Sequence, residues 1–101
     1  MKLLIIVAVK EFGKDIKQIL KKSDVKSFSY KDVTGFKDSS EDAMEKNWFA
    51  SEMDENESVL FYAFVEEEKV DHLFGLVDGF NARQKSASHI HVAVLSIEKS
   101  N

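Results

Sequence analysis

The chain of 101 residues contains no cysteine and no proline, four glycines and a single tryptophan. The missing cysteine excludes disulfides, thiolate metal sites and cysteine nucleophiles together. Without proline, no segment is stiffened by a fixed φ. No apolar run approaches the roughly 20 residues needed to span a bilayer. The opening run, Leu3 to Val9, ends directly in Lys10-Glu11 and lacks the small-residue cleavage site of a secretory leader. It reads as a buried strand, so a cytoplasmic protein with no direct membrane insertion is expected. Nor is there a basic stripe with interleaved aromatics. With 14 basic against 18 acidic residues and a net charge of −4, a nucleic-acid partner is not expected. Signatures of catalysis are missing as well: there is no glycine-rich phosphate cradle, no nucleophile elbow and no metalloprotease motif.

What is present has the size of one domain, residues 1–101, with apolar content sufficient for a core. Leu3 to Val9 is rich in β-branched residues and apolar on both faces. Phe12, Ile16, Ile19 and Leu20 then recur at the spacing of one helical face, closed by Lys21 and Lys22. A second strand is predicted over about Lys26 to Phe36, half buried, with Gly35 marking a bend. Val59 to Val65 is a third strand, and Val70, Leu73, Phe74, Val77 and Phe80 trace a second amphipathic helix. Glu66-Glu67-Glu68 sits where that helix should begin, and acids there complement its dipole. A polar loop over Asn81 to Ser88 and a last strand over His89 to Ile97 complete the order.

Two β–α–β halves of this kind close into an α+β, ferredoxin-like βαββαβ sandwich. Its sheet has four antiparallel strands with both helices on one face, and a long loop joins strands two and three. Strands one and three are apolar on both sides, yet two helices cover only one. The open face therefore calls for a partner, and a homo-oligomer packed through its sheets is expected.

That long connection carries the densest information. From Asp38 to Glu57 it holds eight acids against one lysine, a net −7 in a chain of −4, so the remainder is +3. Set among those acids are Met44, Trp48, Phe49 and Met53, apolar side chains that a plain solvated linker has little use for. Trp48-Phe49 either pins the insert to the scaffold or anchors a protein partner, since tryptophan in a charged loop suits an interface hot spot.

His89-Ile90-His91 is the sharpest short pattern. Strand alternation would put His89 and His91 on one face, able to share a divalent metal or an anion, while Ile90, Val92 and Val94 face the helices. A zinc-like ion needs a third ligand from another element or subunit; strand-edge histidines satisfied by water or backbone are the alternative. His72, between Asp71 and Leu73, reads as a surface histidine.

The opening Met1-Lys2-Leu3-Leu4-Ile5-Ile6-Val7, the first helix, Val33-Thr34-Gly35-Phe36 leading into a long loop, and the order and length of Ser58 to Ile97 together resemble the PII-like signalling proteins. The resemblance implies a ferredoxin-like homotrimer in which residues 37–57 take the place of the T-loop, the arm that docks on target proteins. It also implies a regulatory role toward transporters or enzymes, some relatives accompanying metal-efflux systems. Members hold ATP or ADP between subunits with glycine-rich, lysine-containing segments before the last strand. Here that segment reads Ala82 to His89 without glycine. Gly35, Lys37, Arg83 and Lys85 are the positions left to serve an adenine nucleotide. The acidic segment contains no tyrosine, which excludes tyrosine nucleotidylation within it.

Three readings follow. The first is a non-enzymatic, PII-like trimeric regulator docking on a protein partner, a membrane transporter being the expected class, through Glu41, Asp42, Met44, Glu45, Trp48, Phe49 and Met53. The second is a divalent-metal-binding or metal-tolerance protein using His89 and His91. The third is a small ferredoxin-like monooxygenase or isomerase, which predicts a deep pocket lined by Phe61, Phe64, Phe74 and Trp48.

Overall fold

The computed structural model describes residues 1–36 and 55–101. The elements run β1 (Lys2–Val9), α1 (Gly13–Lys22), β2 (Ser29–Phe36), β3 (Glu55–Val65), α2 (Val70–Arg83) and β4 (His91–Ser96), with short 3₁₀ turns at Lys10–Phe12 and Glu67–Lys69 leading into the helices. The sheet order is β2-β3-β1-β4 and every neighbouring pair is antiparallel. The ferredoxin-like arrangement expected from the sequence is what forms.

Register decides which side chains share a face. Leu4, Ile6 and Ala8 of β1 lie opposite Ala63, Phe61 and Val59 of β3, and all six are buried. Ile16, Ile19 and Leu20 of α1 and Leu73 and Val77 of α2 close over them. Phe61 is the largest side chain in this core; its ring stacks on Tyr30 at 5.1 Å and tilts against Phe28 at 5.7 Å. Across the helix layer, the Phe12 and Phe80 rings meet edge to face at 5.0 Å.

Helix α1 ends in a Schellman motif. The Val25 N–H donates to the Leu20 carbonyl at 2.9 Å and the Asp24 N–H to the Lys21 carbonyl at 3.0 Å. Asp24 takes the left-handed conformation that the motif requires, with φ of 61°. Leu20 and Val25, the hydrophobic pair that accompanies such a cap, are both buried. Glu67 and Glu68 lie in the 3₁₀ turn ahead of α2, with Glu66 as its N-cap, rather than in the first α-helical turn. The Glu68 carboxyl is held below its ordinary range chiefly by the backbone N–H of its own residue, the local effect expected of acids at a helix start.

Several boundaries differ from the sequence reading. Strand β2 begins at Ser29 rather than Lys26, and β4 spans His91–Ser96 rather than His89 to Ile97. Helix α2 runs on to Arg83, so Asn81, Ala82 and Arg83 are helical and not loop. Glu55, Asn56 and Glu57 are the first residues of β3, so the connection between strands is residues 37–54 rather than 38–57. Gly35 is not a bend. It sits inside β2 with no positive φ, and its role is steric.

Candidate functional site

The face of the sheet away from the helices carries Leu3, Ile5 and Val7 of β1, flanked by Phe64, Tyr62 and Leu60 of β3 and by Leu95, Ala93 and His91 of β4. Within the single chain, Phe64 is 57% exposed, Tyr62 44% and Leu95 44%. An apolar band crossing three strands is the kind of surface that soluble proteins cover with a partner. Each Leu or Phe fully buried there adds about 1.5–3 kcal/mol to association.

The strand directions bring three polar features to one end of this sheet. The end of β2, the start of β3, the end of β1 and the start of β4 all lie together, because Phe36 pairs with Glu55, Val9 with Ser58 and Val7 with His91. Phe36 and Glu55, the described residues on either side of 37–54, are at this end.

At their root, Gly35 lies opposite Asn56, with Ser58 next on the same face. The Ser58 hydroxyl donates to the Asn56 Oδ1 at 2.9 Å. These two oxygens lie over Gly35 so closely that a Cβ there would be 2.6 Å from Asn56 Oδ1 and 2.7 Å from Ser58 Oγ. A side chain at this position would have to push one or both of these side-chain oxygens aside. On the helix side of the same end, Lys10 Nζ is 3.3 Å from Asp32 Oδ2, with Thr34 and Glu57 lining the shallow hollow beside them. The hydrogen bond to Asp32 and its charge, with the charge of Glu57, hold the Lys10 ammonium above its ordinary 10.5.

The third feature is the loop from Gln84 to Ile90, joining α2 to β4. Asn81 fastens it. Its Nδ2 donates to the Ile90 carbonyl at 2.9 Å, and the Ile90 N–H donates to its Oδ1 at 2.8 Å. The Gln84 N–H also donates to the Asn81 carbonyl at 3.2 Å. Lys85 and His89 on this loop are exposed, as is Arg83 at the end of α2.

The structure thus places Gly35 in β2, at one edge of the sheet, and leads the loop that carries Lys85 into β4 at the other edge. Three inter-strand steps separate β2 from β4, roughly 14 Å. Lys37 and the expected docking residues Glu41, Asp42, Met44, Glu45, Trp48, Phe49 and Met53 lie outside the described residues.

His91 stands on the open face opposite Val7, whereas His89 precedes the strand, so strand alternation does not pair the two. Among the described residues, no three His, Cys, Asp or Glu side chains cluster as metal ligands. The pocket expected of an enzyme is not assembled as anticipated: Phe61 is buried under the helices and Phe64 projects from the opposite face. His72 is exposed on α2, as expected of a surface histidine. Asn56, Ser58 and Asn81 were not singled out by the sequence, and the Gly-to-Asn-x-Ser cross-strand relation becomes visible only once register is known.

This architecture has a solved counterpart. CPII, a nitrogen regulatory PII-like protein from Thiomonas intermedia K12 solved bound to ADP, AMP and bicarbonate, superposes with a TM-score of 0.64 over 99% of this chain and 94% of its own. The fold is that of the PII-like proteins. Identity between the two chains is 15%, so what they share is the fold. No family model matches the sequence, and no curated protein matches it. Among the described residues, no helix is long and apolar enough to cross a membrane.

Proposed function

We propose that this protein is a PII-like trimeric regulator that reads an adenine nucleotide and docks on a protein partner, with a membrane transporter as the target class. The observation that supports this reading is the common end of the sheet. Gly35, the root of the acidic segment and the Gln84–Ile90 loop share it, and an apolar sheet face is left for neighbouring copies. In the PII-like neighbour the bound ligands include ADP and AMP, the ligand class proposed here for a site between subunits. A ligand bridging the Gly35 edge of one copy and the Lys85 edge of another would link nucleotide state to the segment that springs from Gly35 and Phe36. That segment carries the negative charge that would steer it toward a basic partner surface, an attraction weakened by salt, with Trp48 and Phe49 as anchors.

Native mass spectrometry of the purified protein with ATP, ADP, AMP and a panel of divalent metals tests the proposal. A trimer taking up as many as three nucleotides is expected. A trimer that ignores nucleotides and retains metal, losing it on His91→Ala, would replace this reading with a metal-binding one. A species that stays monomeric would remove the intersubunit site altogether.

A further inference from the structure

The nucleotide reading leaves one residue unaccounted for. Asn81 makes contact with both ends of the α2–β4 loop, its main-chain carbonyl at Gln84 and its carboxamide at Ile90. Ile90 is 3% exposed, and its register position just precedes the pairing of β4 with β1. Asn81 therefore does for Ile90 what a neighbouring strand would do, offering one donor and one acceptor to a single backbone residue. The loop's other side-chain bonds among the described residues are Gln84 Nε2 donating to the Phe80 carbonyl at 3.4 Å, at its first end, and the Ser88 N–H donating to Ser86 Oγ at 3.3 Å. The loop is thus tied at its neck and free along its length, with Lys85, Ser86 and His89 exposed upon it.

We infer that Asn81 is the positioning residue for phosphate recognition: by closing the neck of the Gln84–Ile90 loop it sets the place of Lys85, the cation that meets the phosphoryl groups of a bound nucleotide. The inference rests on the nucleotide reading above. A loop carrying one ammonium and two hydroxyls binds a polyphosphate well only if its geometry is set before the ligand arrives, since ordering it on binding is subtracted from affinity. The carboxamide supplies that order without touching the ligand. A merely structural role would weaken all ligands alike, or none. A positioning role is selective for the part of the ligand that the loop meets.

The test is calorimetric titration of wild type, Asn81→Ala, Asn81→Asp, Lys85→Ala and the Asn81→Ala/Lys85→Ala double variant, each with ADP and with adenosine. Removing both neck bonds should weaken ADP about tenfold while adenosine binding is unchanged. Asn81→Asp keeps the acceptor for the Ile90 N–H and loses the donor, so it should fall between. Because Asn81 acts through Lys85, the double variant should bind ADP no more weakly than Lys85→Ala alone. Oligomeric state, measured alongside, should be the same in all five proteins. Equal ADP affinity in wild type and Asn81→Ala, parallel losses of ADP and adenosine, or additive losses in the double variant would each overturn the proposal. A wild type that takes up no adenine nucleotide would remove the nucleotide reading first, and this inference with it.

Discussion

Replacing Gly35 by alanine tests the steric reading of the strand root directly. The added Cβ would stand 2.6 Å from Asn56 Oδ1 and 2.7 Å from Ser58 Oγ, well inside contact distance. Neither oxygen yields without loss, because Ser58 is 7% exposed and the two side chains are hydrogen-bonded to one another at 2.9 Å. Overpacking of this kind costs about 1–3 kcal/mol, and breaking the Ser58–Asn56 bond adds about 1 kcal/mol. Against this, alanine in place of a strand glycine recovers about 0.5–1 kcal/mol. The net expectation is a destabilisation of about 1–3 kcal/mol, read as a urea midpoint lowered by roughly 1–2 M with an unchanged slope. All proteins are compared at one concentration, since assembly contributes to apparent stability. The informative arm is the same substitution in an Asn56→Ala/Ser58→Ala background. With both oxygens gone, Gly35→Ala should change sign and stabilise by about 0.5–1 kcal/mol. A Gly35→Ala change that is neutral in the wild-type background, or equally harmful in both backgrounds, would refute the reasoning and return Gly35 to the role of a turn residue.

Asp24→Gly and Asp24→Ala both remove a carboxylate that lies 3.4 Å from Lys69 Nζ, and they differ only in tolerance of the φ of 61°; the glycine variant should be about 1 kcal/mol more stable in denaturant unfolding. Phe61→Ala deletes the largest ring of the core and its stacking on Tyr30, and should cost about 3–5 kcal/mol in the same assay. The Lys10 ammonium is raised above 10.5 in the fold, so its contribution is complete below the unfolded value and fades as pH climbs through the higher folded one. Alkaline unfolding curves should therefore show this small term in wild type and lose it in Asp32→Asn, with little difference near neutrality because the pair is exposed. Phe64→Lys places a charge in the apolar band of the open face, at the opposite end of β3 from Gly35 and the proposed nucleotide site. Light scattering should report dissociation, and ADP binding should disappear with it; retention of ADP by the monomer would show that the site is complete in one chain.

Much of the fold could be read in advance because the patterns that encode it are local. The alternation of Leu4, Ile6 and Ala8 and the spacing of Ile16, Ile19 and Leu20 each specify a buried face without reference to any other element. Boundaries were less legible where chemistry is mixed. Asn81 and Arg83 are polar enough to suggest loop, yet α2 continues through them because Val77 and Phe80 still pack on the core and Asn81 has a tertiary partner in Ile90. The start of β3 was hidden for a related reason: Glu55 and Glu57 belong by composition to the acidic segment, and only pairing with Phe36 and Thr34 makes them strand.

The site was harder to read than the fold, and the difference is one of range. Gly35 stood out as a glycine, but a glycine signals equally a turn and a close approach, and the choice between them lies with Asn56 and Ser58 across the strand pair. His89 and His91 stood out as a repeat, but the repeat carries meaning only if both residues belong to one strand, and β4 begins after the first of them. Arg83 and Lys85 were chosen for charge, and charge cannot reveal that Gly35 lies at the other edge of the sheet. Each of these decisions is made by a residue distant in sequence. In the ligand site proposed between β2 of one copy and β4 of another, the next such residue would lie on a neighbouring chain. On the proposed reading, assembly through the open face and recognition would be one property, since the sheet order that leaves Phe64 and Tyr62 uncovered also sets β2 and β4 three strands apart.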